Sequence, residues 1–481
     1  MEQDAIQYID APRLMWGWGR SPKSLARIVH PAPSDKERSL LRFLQEDNGL
    51  RFAPRGLGRS YGDAALNAGE ALSDPSDWQD VFELDEAHGR LRVSSGFSLD
   101  EIMARVIPHG YFVPVTPGTR FVSVGGAVAA DIHGKNHHVD GSFGDHLRTL
   151  RLISPTGIWD LIPGDERFGA TLGGMGLTGF VSECSFDLLP IETSYVKVTT
   201  KAPANIEATF AALESGDPLH RYSVAWIDCG ATGSSLGRSV ITWGDHLLRD
   251  ELPSSISDPL NFAHSIRITA PDLAPSWLLN RLSIRAFNEA WYRRGKLREG
   301  VSIESIPQFF HPLDSVGEWN RLYGSKGFLQ YQFVLPFGRE DAMIEVISRL
   351  SRSNFPSFLA VLKRFGPSSE GFLSFPEPGW TLALDLPAHR RGLAELLDSC
   401  DEIVADAGGR IYLAKDSRVS PHLIPTMYPR LDDFRRVARA LDPNFRLRSD
   451  LGQRLDLRPT QLDGEDPLPH LIAKTQKGPN R

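Results

Sequence analysis

The chain has 481 residues, a formal net charge of −7, 41% hydrophobic and 23% charged residues. That length predicts two or three domains, the composition is that of a folded soluble protein, and the charge argues against a general nucleic-acid binder. Cys184, Cys229 and Cys400 form no CxxC spacing, so neither a disulfide framework nor a zinc ribbon is expected. The chain opens without an apolar segment of signal-peptide type and contains no run of ~18 apolar residues, so it reads as soluble or at most peripheral to a membrane.

In chain order, residues 1–50 hold an aromatic opening, Trp16-Gly17-Trp18-Gly19, and a helical pattern around 39–45. Residues 51–190 alternate β-like runs, such as 91–93, 148–153 and 179–188, with glycine-rich turns. Residues 195–405 mix strands (222–227, 328–335) with helices, the clearest at 339–352 and 390–407, the second stopping at Gly408-Gly409. A strand at 410–414 and a charged helix at 431–441 follow, and Asp442-Pro443 breaks the helix. The tail after about Leu457 is rich in Pro, Asp and Lys and is expected to fray. Within 253–300, Trp277, Leu278, Leu282, Phe287 and Trp291 interleave with Arg281, Arg285, Arg293, Arg294, Lys296 and Arg298. A helix so built suits an anionic membrane surface, or packs its apolar face on its own domain and leaves the cations in water.

The densest chemical signal is Pro54-Arg55-Gly56-Leu57-Gly58-Arg59-Ser60-Tyr61-Gly62-Asp63, leading into Ala64. Amide groups in such a loop converge on one anion, most often a pyrophosphate, and Arg55, Arg59 and Ser60 add donors. The bland alternative is an elaborate surface turn. In the second segment, 117–138, Gly125, Gly126, Ala127, Ala129 and Ala130 let the backbone pass close to a flat or charged group. His133, Lys135, Asn136, His137 and His138 stand at the end of that path. Their spacing matches no zinc signature and no nearby cysteine completes a set, so a metal site is not expected, and plain surface exposure is the blander alternative. A GxGxxG from Gly174 fails as a Rossmann fingerprint, because a strand-like run follows where a helix should open. Its glycines can still skirt a cofactor. Lys415, just past a buried-looking strand, is either a solvated charge or a cation for a developing oxyanion. Alternation puts Gln330 and Gln332 on one strand face, which suits a polyhydroxylated ligand or a solvated sheet; Lys363 lies in another β-like run.

Taken together the motifs are more specific. They comprise Gly17-Trp18-Gly19-Arg20, RGLGRSYGD at 55–63, PGTR at 117–120, DIHGKNHH at 131–138, GSFG at 141–144 and GLTG at 176–179. HPLD with GEWNR at 311–321, GFLQYQF at 327–333, LSFPEPGW at 373–380, AKDSR at 414–418 and MYPR at 427–430 complete the set. With these the chain resembles the FAD-linked oxidases of the vanillyl-alcohol oxidase/p-cresol methylhydroxylase superfamily. Within it the chain is similar to those forming the flavin half of a two-enzyme epimerase.

The resemblance implies an α+β fold, with a two-lobed FAD-binding domain split between 1–195 and 405–481 and an antiparallel-sheet cap at 196–404. It assigns to FAD Pro54, Arg55, Gly56, Leu57, Gly58, Arg59, Ser60, Tyr61, Gly62, Asp63 and Ala64. Gly118, Ser123, Val124, Gly125, Gly126, Ala130, Asp131, Ile132, His133, Val181 and Tyr412 join them. It assigns catalysis to Lys415, His133, Gln330, Gln332 and Lys363, and substrate contact to Tyr61, Asp385 and Arg321. Arg59 stands where many relatives carry a flavin-attaching histidine, so non-covalent FAD is expected.

The implied reaction oxidises a secondary sugar hydroxyl to a ketone, the 2′-OH of a polyprenylphosphoryl ribose, in the making of an arabinan or other cell-wall precursor. An NAD(P)H-dependent ketoreductase would complete the epimerisation, and residence would be cytoplasmic or at the cell envelope, with membrane contact through 277–298. Ala383, Thr381 and Phe310 replace a cysteine, an asparagine and a tyrosine of the nearest relatives, all on the substrate side. They leave room for an oxidase of a soluble sugar, sugar phosphate or nucleoside; a non-catalytic flavin-fold binding module is the other alternative.

Overall fold

The computed structural model describes residues 6–262, 268–270, 281–353, 355, 357, 359–388 and 390–459. The tail expected to fray lies almost wholly outside them, as do Trp277 and Leu278.

The N-terminal lobe starts from a small sheet in which Lys23–His30 and Phe52–Ala53 run parallel to Ala71–Ser73. The helix Lys36–Gln45 begins at Asp35, whose carboxylate accepts the Arg38 amide at 3.1 Å, and buries Leu40, Phe43 and Leu44. A second sheet is wholly antiparallel, in the order 157–161, 147–154, 180–187, 90–94, 82–85. Beside it, Ser98 and Glu101 close a reciprocal cap on the helix Leu99–Val106. The small residues of the second glycine segment form the helix Val124–Ala129, capped by Ser123.

The C-terminal residues return to this lobe. Phe52 donates to the Arg446 carbonyl at 2.8 Å, and Arg448 donates back to Phe52 at 2.9 Å. The helix Leu431–Leu441 buries Leu431, Phe434, Val437, Ala438 and Leu441 as one stripe. Arg454 joins two buried carboxylates, Asp63 at 2.7 Å and Asp416 at 2.8 Å, and so ties the first glycine loop to the segment around 415.

Between the two parts lies an eight-stranded antiparallel sheet, ordered 300–305, 195–201, 239–246, 222–227, 360–365, 379–387, 328–336, 410–411. Alternation divides its faces. Ala360, Leu362, Leu382, Leu384, Phe333 and Leu335 are fully buried toward the helices Ile206–Gly216, Glu340–Arg352 and Leu393–Asp406. The opposite face carries Gln330, Gln332, Val361, Lys363, Thr381, Ala383 and Asp385, brought together by register: Gln330 opposite Asp385, Gln332 opposite Ala383, Lys363 opposite Thr381. The edge strand is shorter than expected and stops at Ile411. Tyr412 still donates to the Gln332 carbonyl at 2.9 Å, and the chain then turns, with Lys415 and Asp416 both donating to the Tyr412 carbonyl at 3.0 Å. That turn aims Lys415 at the space beneath the sheet.

Candidate active site

A cleft of about 760 Å3 lies between the cap sheet and the glycine-rich segments. From the first loop come Pro54, Arg55, Gly56, Leu57, Gly58, Arg59, Ser60, Tyr61 and Ala64; from the second, Gly118, Ser123, Gly125, Gly126, Ala130, Ile132 and His133. Val181, Tyr412, Gln330, Gln332, Lys363 and Lys415 complete the expected set.

Other expected residues stand outside the cleft. Gly62 packs on Asp416, Asp63 pairs with Arg454, and Val124 is core. Asp131 is buried, accepting from Ser142 at 2.8 Å, Ser369 at 2.6 Å and the Gly144 amide at 2.9 Å, which pins the second segment just past its helix. Asp385 sits behind Gln330, whose amide donates to it at 2.6 Å. Arg321 lies on a short turn with its guanidinium 3.8 Å from Glu318 and does not line the cleft.

The histidines are not surface groups, so the blander alternative does not hold. His137 is buried against Phe365, with ring centroids 4.5 Å apart, and its Nδ1 accepts the Gly366 amide at 3.1 Å. His138 Nε2 lies 3.0 Å from the His220 carbonyl. Small neighbours let the segment run inward, and backbone groups meet one ring nitrogen of each, while His137 Nε2 and His138 Nδ1 have no hydrogen-bond partner among the described residues. His133 remains in the cleft, 3.0 Å from Gln332 Nε2, enclosed by Phe365, Phe375 and Tyr412. Burial, reinforced by Lys363, holds its pKa well below the ordinary histidine value, so the ring is neutral.

Three half-buried lysines converge on the same region. Burial lowers Lys363 and Lys415 to about 7, with the like charges of Lys135 and Lys415 adding to the shift at Lys363. Lys363 Nζ donates to the Gly134 carbonyl at 3.2 Å, and Lys415 Nζ lies 3.9 Å from the Tyr61 ring centre. The third, Lys135, is lowered to about 8 by burial; its Nζ donates to the Phe309 carbonyl and lies over that ring. In the sequence Lys135 stands out only as part of a polar cluster. Trp18, Phe287 and Trp291 also line the cleft, and no local pattern links their segments to the glycine loops.

The residues present fit a dinucleotide with a flat ring. Five successive amides, Gly56 to Ser60, donate to no acceptor among the described residues, as an anion-binding nest requires. A side chain at Gly56 would collide with Ser123 Oγ at 2.0 Å, while one at Gly118 would meet nothing within 4 Å, on the open side of the cleft. His133 Nδ1 is buried without a hydrogen-bond partner among the described residues. Arg59 is stacked 4.1 Å from the Trp18 ring centre and donates to the Phe121 carbonyl at 3.2 Å. The aromatic opening of the sequence thereby packs onto the first loop.

An amide nest at one end and polar side chains on a sheet face at the other suit a flavin-linked oxidoreductase of the p-cresol methylhydroxylase type. The model of the FAD binding domain family matches residues 25–160. The decaprenylphosphoryl-beta-D-ribose oxidase of Mycolicibacterium smegmatis is 40% identical over 452 residues, which cover 92% of this chain and 97% of that protein. An alditol oxidase from a Streptomyces species is 24% identical over 387 residues, covering 75% of this chain and 80% of that enzyme. The chain belongs to the family of the decaprenylphosphoryl-beta-D-ribose oxidase. FAD is its cofactor, and the nest of the first loop together with the 118–133 segment would hold it.

Proposed function

We propose that the protein oxidises the 2′-hydroxyl of a polyprenylphosphoryl ribose to a ketone. The observation that carries this is the graded face of the cap sheet. Gln330 and Gln332 stand on one side of the cleft, Lys363 on a middle strand next to that of Val224 and Trp226, and Val240 on the far side, where Thr200 and Thr242 also line the wall. A ligand with a hydroxylated, anionic head and an apolar tail matches that gradient; a free sugar matches half of it. FAD, once bound, supplies the two-electron acceptor.

The protein's own part is positioning and proton handling. The amides of Gln330 and Gln332 face the sugar hydroxyls. Gln330 is fixed by Asp385, and Gln332 by Thr381, whose Oγ1 is 3.3 Å away. Lys363 Nζ in its charged form holds the phosphate. Lys415 Nζ, lowered to about 7 by burial, carries an unprotonated fraction at neutral pH and accepts the proton of the hydroxyl being oxidised. The ketone product then needs reduction from the opposite face to complete an epimerisation, which calls for an NAD(P)H-dependent ketoreductase as partner.

Anaerobic titration of the yellow holoenzyme tests the reading. A short-chain prenylphosphoryl ribose should bleach the flavin, and ribose phosphate without the lipid should not. Bleaching by ribose phosphate at equal concentration would favour the soluble-substrate alternative, which Ala383, Thr381 and Phe310 bring into play on the substrate side. Binding of the prenylphosphoryl ribose without bleaching would favour a module without catalysis.

A further inference from the structure

The helix Arg281–Leu297 closes the arm of the cleft lined by Val224, Trp226 and Val240. Ile284, Asn288 and Gly295 are buried, and Gly295 lies so near Val240 that a Cβ would meet its methyl at 2.3 Å. A second stripe, Phe287, Trp291, Arg294 and Arg298, follows the i, i+4, i+7, i+11 spacing of one helix face and lines the cleft. Phe287 and Trp291 stack at 5.9 Å, and Trp291 meets Trp226 of the sheet at 6.4 Å.

The same stripe opens to the outside. Phe287 is 45% exposed and Trp291 39%, and next in the chain Leu297 is 88% and Val301 65% exposed. Between 282 and 300 five basic residues face two acidic ones, and Glu289 is engaged by Arg238 and Arg293. Exposed aromatic and aliphatic side chains within a cationic rim complement a surface that is anionic at its headgroups and apolar beneath them.

We propose that this face seats on an anionic phospholipid bilayer, and that the Phe287–Trp291 stripe is the port through which a lipid chain passes from the bilayer into the cleft. The port rests on the lipid-linked substrate proposed above; the docking does not. The exposed Phe287, Trp291, Leu297 and Val301 beside an excess of cations favour a bilayer over a protein partner, because apolar side chains within a basic rim match acyl chains beneath anionic headgroups.

The holoenzyme, sedimented with vesicles of phosphatidylglycerol and phosphatidylcholine, should bind at low salt and release at high salt, and should ignore phosphatidylcholine alone. The variant Lys296→Glu/Leu297→Asp/Val301→Asp changes exposed residues outside the cleft. It should bind the anionic vesicles at least ~tenfold more weakly. It should be reduced at the wild-type rate by a water-soluble short-chain prenylphosphoryl ribose and more slowly by a vesicle-borne long-chain one. Wild-type protein that stays in the supernatant, or a variant that binds vesicles equally, overturns the docking. Equal rates on the vesicle-borne substrate overturn the port. Failure of the substrate reading shows separately, as a flavin that the soluble short-chain compound does not bleach.

Discussion

Lys415 Nζ lies 3.9 Å from the centre of the Tyr61 ring, although the two residues are separated by most of the chain. The contact joins the first glycine loop to the turn after the last strand of the cap sheet. Tyr61 is itself packed edge-on against Phe328, at 5.3 Å between centroids. The ring contact favours the ammonium, but loss of solvent in this enclosed site outweighs it and lowers Lys415 to about 7.

Replacing Lys415 by Met keeps the bulk of the side chain and removes the amine. The variant should fold, bind FAD with an unchanged visible spectrum, and lose at least ~100-fold in the rate of flavin reduction. Stopped-flow reduction under anaerobic conditions measures it; a loss below threefold would exclude Lys415 as the proton acceptor.

Two lysines at about 7 predict opposite pH effects on two constants. Raising the pH through 7 frees the Lys415 amine, so the limiting reduction rate should climb about tenfold per unit below 7 and level off above it. The same change discharges Lys363, so KM for a phosphorylated substrate should rise above 7. A profile in which both constants move together would contradict the division of roles.

Arg59 is engaged by Trp18 and Phe121 and offers no imidazole for attachment. Acid precipitation should leave all the yellow colour in the supernatant, and the denatured chain should show the mass of the polypeptide alone by mass spectrometry. Flavin retained on the pellet would disprove non-covalent binding.

Removal of Arg454 by mutation to Ala leaves Asp63 and Asp416 buried without their shared cation. The expected loss is about 3 kcal/mol of stability, as for breaking a buried ion pair. Because the clamp holds the first loop, thermal unfolding of the holoenzyme should release FAD at a correspondingly lower temperature. A melting temperature within one degree of wild type would show that the clamp is not needed.

The cofactor side was legible in the sequence because a pyrophosphate site is largely local. Consecutive amides of one short loop would do the binding, and the glycines that permit it are neighbours in the chain. The paired face of Gln330 and Gln332 was equally legible, since alternation along a strand is a two-residue rule. The length of the last strand and the burial of His137 were not, because each depends on what a distant segment offers. Only the folded chain brings Lys415 over Tyr61, sets Lys363 opposite Thr381, places Arg321 outside the cleft and turns the helix at 281–297 into one of its walls. Register between strands far apart in sequence, and the desolvation that follows, decide those features, and no local pattern encodes them.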